Sequence, residues 1–151
     1  MKKGFTLLEL LIVIIIIGVL AVIALTQYRN LSERARMGEA KSVIGSIRTA
    51  QRVYHEENGA FATSDINALS TYITVPPADC AGTHWFSYVL GNTCPAGSTT
   101  TDCFSVNATR CSADGKSPNI AEGSVYSVWL MEDDVGLQEK GTNVGGVTAT
   151  W

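Results

Sequence analysis

The order of apolar and polar positions divides the chain into three stretches. Across residues 5–25 the only polar side chains are Thr6 and Glu9, and residues 10–25 carry none. Ala40, Val43, Ile44, Ile47, Ala50 and Tyr54 then recur at steps of three and four, the spacing of one helix face. Arg34, Lys41, Arg48 and Arg52 share another face of the same period. Glu56-Glu57-Asn58-Gly59 ends the pattern, with Gly59 placed to take a left-handed helix cap. The spacing predicts one helix over residues 5–58, about 80 Å long. Its first half is apolar all round and needs lipid or other helices on every side. Its second half is amphipathic and needs a head packed on one face.

Beyond the helix the period changes. Thr63-Ser64-Asp65 reads as the cap of a short helix reaching Leu69 and Ser70, and Pro76-Pro77 opens a loop. Residues 85–90, 103–109, 125–131 and 135–139 are rich in Val, Phe, Tyr and Trp and are separated by Gly, Asn, Asp and Ser. They predict an antiparallel meander, with Glu132-Asp133-Asp134 ahead of Val135-Gly136 as a hairpin turn. Residues 141–150 show no clear period. The predicted fold class is α+β: a long N-terminal helix whose C-terminal half packs on a small antiparallel sheet.

Length and charge narrow this picture. Of 151 residues, about 125 remain once the apolar stretch is set aside, enough for one small core. A large two-domain enzyme is excluded. The net charge of −3 is segregated along the chain. Arg29, Arg34, Arg36, Lys41, Arg48 and Arg52 face only Glu33 and Glu39 in the neck, whereas acids dominate from residue 53 onward. An acidic head argues against a dedicated nucleic-acid site, which needs clustered cations. The basic neck is expected to pair with acidic groups on neighbouring chains. Cys80, Cys94, Cys103 and Cys111 match no CxxC spacing and read as two disulfides in an oxidising compartment. Cys80–Cys94 and Cys103–Cys111 are the expected pairs, because each closes a short loop without crossing the sheet.

The N-terminus carries the sharpest signal. Lys2-Lys3 precedes the apolar stretch as in a secretory signal, but no small-residue cleavage site follows it, so the stretch reads as retained. As a helix it is about 31 Å long, enough to cross the hydrocarbon core. Glu9 is out of place there, since a carboxylate in hydrocarbon costs several kcal/mol unless it finds a cationic partner or protonates. Gly4, Phe5 and Glu9 lie in fixed register: a short basic leader ending in glycine, an aromatic residue, and a glutamate at the fifth position after that glycine. This arrangement resembles the class III leader of the type IV pilin family, which includes type II secretion pseudopilins.

The resemblance implies a plan of four segments: leader 1–4, transmembrane or filament-core helix 5–25, amphipathic helix 26–58 and a disulfide-containing head 59–151. It implies cleavage after Gly4 by a prepilin peptidase, methylation of Phe5, storage in the inner membrane with the head in the periplasm, and work with an assembly platform to form a helical homo-oligomer at the surface. Glu9 would neutralise the Phe5 ammonium of the neighbouring subunit. Removing Lys2 and Lys3 takes the net charge from −3 to −5. Relatives often carry a proline where this chain has Thr26, so the helix is expected to run on without a kink there. The resemblance implies a structural subunit and no enzyme, with a periplasmic pseudopilin as the alternative.

Other chemistry is sparse. His55 and His84 have no motif partner, and no Gly-x-Ser-x-Gly elbow is present. Asp102, Asp114, Glu122 and the run Glu132-Asp133-Asp134 offer hard oxygen ligands for Ca²⁺, but no EF-hand spacing, and a solvated turn is the preferred reading. No cofactor is expected. Asn107-Ala108-Thr109 matches the N-glycosylation acceptor pattern.

Overall fold

The computed structural model describes residues 5–80, 84–112, 126–144 and 147–150. Helix α1 runs unbroken from Leu7 to Asn58, 52 residues that pass through position 26 without interruption. Its ends are set by local chemistry. Thr6 is the N-cap, and Gly59 takes φ 73° and donates its N–H to the His55 carbonyl at 2.7 Å. A short 3₁₀ turn, Ile66–Leu69, follows, capped by the Asp65 side chain accepting from the Asn67 N–H. The C-terminal end of α1 and this turn therefore lie where the capping residues predict.

Among the described residues five strands follow: β1 (Phe86–Gly91), β2 (Cys103–Arg110), β3 (Tyr126–Asp133), β4 (Gln138–Val144) and β5 (Val147–Thr150). They form one antiparallel meander in sequence order. The inward side chains of the central strands are Phe104, Val106 and Ala108 on β2 and Tyr126, Val128 and Leu130 on β3, all buried. They pack on the Ala40, Ile44, Ile47 and Ala50 stripe of α1, each of which is buried as the period predicts. Burial of each large aliphatic side chain contributes about 1.5–3 kcal/mol, which clamps the second half of α1 to the sheet.

Three expectations need correction. The hairpin turn lies at Asp134–Gly136, not at Glu132–Asp134, and Gly136 takes φ 90° there. Glu132 and Asp133 belong to β3 and are buried. An acidic run looks like a solvated turn by composition, but Glu132 faces the α1 arginines, while Asp133 accepts from the Leu137 N–H at 2.7 Å and the Ser98 hydroxyl at 2.9 Å. The fourth strand is shifted accordingly, and a fifth strand occupies part of the stretch without a clear period.

The third correction concerns the disulfides, which join Cys80 to Cys111 and Cys94 to Cys103, with Cα–Cα distances of 5.4 and 5.3 Å. Cys80 and Cys94 flank opposite ends of β1, just as Cys103 and Cys111 mark opposite ends of β2. A strand of six to eight residues separates its ends by about 20–27 Å. A disulfide needs Cα atoms about 5.5 Å apart. Antiparallel pairing of β1 with β2 instead brings the outer cysteines together at one end and the inner ones at the other, which makes the two bridges nested.

Candidate assembly surface

The first half of α1 lies outside the core. Leu7–Leu25 has a mean hydropathy of 3.2, and none of its 19 residues is buried within the chain. An apolar helix satisfies every interior backbone group through its own hydrogen bonds, which is the condition for occupying lipid or a dry bundle. Its side chains point outward on all faces, so only an apolar environment surrounding it removes them from water.

At its tip, Thr6 and Glu9 form a reciprocal capping box. The Glu9 N–H donates to Thr6 Oγ1 at 3.2 Å, while Thr6 donates its N–H and hydroxyl to Glu9 Oε2 at 3.5 and 3.3 Å. The sequence signal, Thr-x-x-Glu ahead of an apolar run, was available, but the sequence reading gave Thr6 no role. A carboxylate in the first turn also sits favourably at the positive end of the helix dipole. Oε1 makes no hydrogen bond among the described residues, which leaves one face of the carboxylate open to a cation. Phe5, the residue before the N-cap, is 80% exposed. Gly4 lies outside the described residues.

The arginines of the neck are used differently from expectation. Arg48 and Arg52 both pair with buried Glu132 on β3, and Arg36 pairs with Glu33 one turn away. These three are ion-paired within the chain, and Arg34 stays exposed.

Glu33 forms the deepest anchor between helix and sheet. Arg110, itself buried, donates Nε and Nη2 to the two carboxylate oxygens at 3.1 Å each, and the Tyr126 hydroxyl donates to Oε2 at 3.0 Å. Arg110 Nη1 also donates to the Cys111 and Trp85 carbonyls at 2.6 and 3.3 Å. The Trp85 ring carries Arg36 at 3.7 Å and Arg110 at 4.8 Å from its centroid. Burial pushes the Glu33 carboxyl up, but the hydrogen bonds from Arg110 and Tyr126 and the charges of Arg110 and Arg36 outweigh it and hold the group below the usual carboxylate value. Burial, the Glu33 charge and their hydrogen bond push the Tyr126 phenol up.

The remaining candidates are absorbed into structure or lie elsewhere. His55 Nε2 lies 2.8 Å from Asp102 Oδ2, with its ring on Phe61 at 4.4 Å. Asp102 also accepts the Phe61 N–H at 3.4 Å. Among the described residues no three His, Cys, Asp or Glu side chains are grouped to hold a metal ion. Asp114 and Glu122 lie outside those residues. His84 is exposed, beside Trp85 in a cleft of about 360 Å³ between α1 and the β1 edge. Asn107 is exposed in the middle of β2.

The prokaryotic N-terminal methylation motif matches residues 1–25. The chain is 37% identical over 82 residues to the type IV major pilin protein PilE1 of Neisseria gonorrhoeae, covering 54% of this chain and 48% of that protein. It is 42% identical over 67 residues to the fimbrial protein EcpC of Eikenella corrodens, 44% of each chain. It is 50% identical over 50 residues to the type IV major fimbrial protein FimA of Dichelobacter nodosus, 33% of this chain and 32% of that one. The matches thus span about half the length of these relatives or less. No solved structure matches the chain.

Proposed function

With its resemblance to type IV pilins and its N-terminal methylation motif as the premise, we propose that the chain is a non-enzymatic structural subunit of a type IV pilus-like filament. The observation that carries this reading is the unburied apolar half-helix Leu7–Leu25, tipped by a carboxylate with one open face. The subunit is stored in the inner membrane with its head in the periplasm. A prepilin peptidase cuts after Gly4, leaving Phe5 as a methylated N-terminal ammonium. N-methylation retains the positive charge. An assembly platform then extracts the helix from lipid into a bundle of equivalent helices, so the apolar surface leaves one dry environment for another. In that bundle Glu9 accepts the Phe5 ammonium of the next subunit. Each charge alone is costly at low dielectric, and together they attract strongly.

The test is electron microscopy of shed filaments. Deletion of this chain should abolish them, and Glu9→Ala should leave processing intact while reducing filament yield. Gly4→Val should leave the chain at full length in the inner membrane, because a site shaped for a residue without a side chain does not admit a branched one. Wild-type filament yield from Glu9→Ala would remove the pairing role. Short fibres confined to the periplasm would replace the surface pilus with a secretion pseudopilus.

A further inference from the structure

The inward face of the sheet is filled by the core, whereas the outward face carries a groove of different composition. Its register follows from the pairing. Asn107 of β2 lies opposite Trp129 of β3, which lies opposite Gly141 of β4. On either side, Ser105 pairs with Met131, and Ser127 pairs with Asn143. Asn107, Trp129, Ser105, Met131, Ser127 and Asn143, with Thr93 and Val106, line a cavity of about 310 Å³. Same-face residues recur about every 6.8 Å along a strand, so three ladder rows give a groove about 13 Å long. The Trp129 indole stands at its centre, and its neighbour on β4 is a glycine with no side chain to cover it.

We propose that this groove binds a neutral oligosaccharide. The proposal rests on the head and stands apart from the filament reading. Its lining brings together one large aromatic ring and the uncharged donors and acceptors of serine, threonine and asparagine, with no charged side chain among them. Hydroxyls and primary amides both donate and accept, which matches the mixed donor-acceptor edge of a sugar ring. The apolar C–H face of that ring matches the indole. Phosphodiester ligands require cations, which the lining lacks. Glu139, opposite Met131 on β4, turns one carboxylate oxygen to the loop after β1, where it accepts the Ala96 N–H at 3.1 Å. The sequence also clears space for the lining. A Cβ at Gly91 would meet Ser105 Oγ at 2.6 Å, so glycine there lets the serine hydroxyl keep its place, where it accepts the Thr93 N–H at 3.4 Å. Three rows match the length of a di- or trisaccharide.

The experiment uses the full chain in a zwitterionic detergent without a sugar headgroup. Cellotriose, chitotriose and maltotriose are the neutral probes; trigalacturonate and a ten-nucleotide oligothymidylate are the anionic ones. Binding is followed by tryptophan fluorescence and calorimetry. At least one neutral trisaccharide should bind, with trigalacturonate and the oligonucleotide bound more weakly. Trp129→Ala should weaken the binding by about tenfold or more. Asn107→Asp, which places a charge in the groove while keeping the indole and nearly the same volume, should also weaken it. Circular dichroism should show both variants folded. Absence of binding by all three neutral probes, equal binding of the anionic probes, or unchanged affinity in folded Trp129→Ala or Asn107→Asp would overturn the proposal. So would sedimentation showing that the wild-type chain self-associates through this face and that Trp129→Ala disperses it.

Discussion

Leu7–Leu25 and residues 33–51 belong to the same unbroken helix, yet they are stabilised by different surroundings. No side chain of the first stretch is buried within the chain, whereas the second buries Glu33, Ala40, Ile44, Ile47, Ala50 and Gln51. The difference lies in what each half can bond to. The second half spends one face on the sheet and fixes its polar members there: Glu33 to Arg110, Arg48 and Arg52 to Glu132, and Gln51 to the backbone of Ala62. The first half places none of its side chains in the core. Its helical form is supported by its own backbone and by the Thr6–Glu9 cap. Head stability should therefore respond strongly to changes in one half and scarcely at all to changes in the other.

The largest effect should come from cutting the deepest anchor. Arg110→Ala leaves the Glu33 carboxylate buried without its bidentate partner and should cost about 3–5 kcal/mol, read from denaturant unfolding followed by near-ultraviolet circular dichroism. A loss below about 1 kcal/mol would show that the core, and not this ion pair, joins helix to sheet. The same contact should respond to acid. Because the folded Glu33 value lies below the ordinary 4.5, its contribution is present above that pH and is lost as pH falls through the depressed folded value. Glu33→Gln should flatten the stability profile across that window. The alkaline side has the opposite form: Tyr126 titrates above its ordinary value of 10.0 in the folded state, so its contribution holds below that pH and is lost as pH rises further.

Next come the bridges. Peptide mapping without reductant should recover Cys80 with Cys111 and Cys94 with Cys103. Their sequence separations are 31 and 9, so on the chain-entropy account removing the outer bridge should cost about 4 kcal/mol and the inner one nearer 3. Equal losses would indicate that native-state contacts, not loop length, set their worth.

A smaller effect is expected where the helix hands the chain to the head. Gly59 has φ +73° with open space around its missing Cβ, so Gly59→Ala pays only the left-handed backbone penalty, about 1 kcal/mol. A loss several times larger, measured by the same unfolding curve, would point to a contact there that the geometry does not contain. The smallest effect belongs to the apolar half. Ile16 is 53% exposed, so Ile16→Ala should leave head stability within about 0.5 kcal/mol of the parent chain. A substantial change would mean that the two halves are coupled more tightly than their burial indicates.

Patterns local in sequence were legible before the fold. The 3.6-residue period located α1 and its buried stripe, Gly59 and Asp65 marked caps, and the leader spacing singled out Gly4, Phe5 and Glu9 within the resemblance. These features depend on neighbouring residues, so the chain states them directly. The Thr6–Glu9 capping box is equally local. The arginine pairs, the turn after β3 and the disulfides were not legible in the same way. Arg48 and Glu132 lie 84 positions apart, and no periodicity records which strand end will face which helix turn.

The sequence by itself determined that one helix would be apolar along its first half and amphipathic along its second, because side-chain spacing sets the faces of a helix. Tertiary structure alone decided how the head closes on that helix. Antiparallel pairing of β1 with β2 placed strand ends that are distant in one chain direction side by side in the other, nesting the disulfides that short loops had suggested were sequential. The same packing turned an acidic run that resembles a solvated turn into buried anchors. A charge is buried where an opposite charge and hydrogen-bond donors are brought to it, and only the folded chain brings them there.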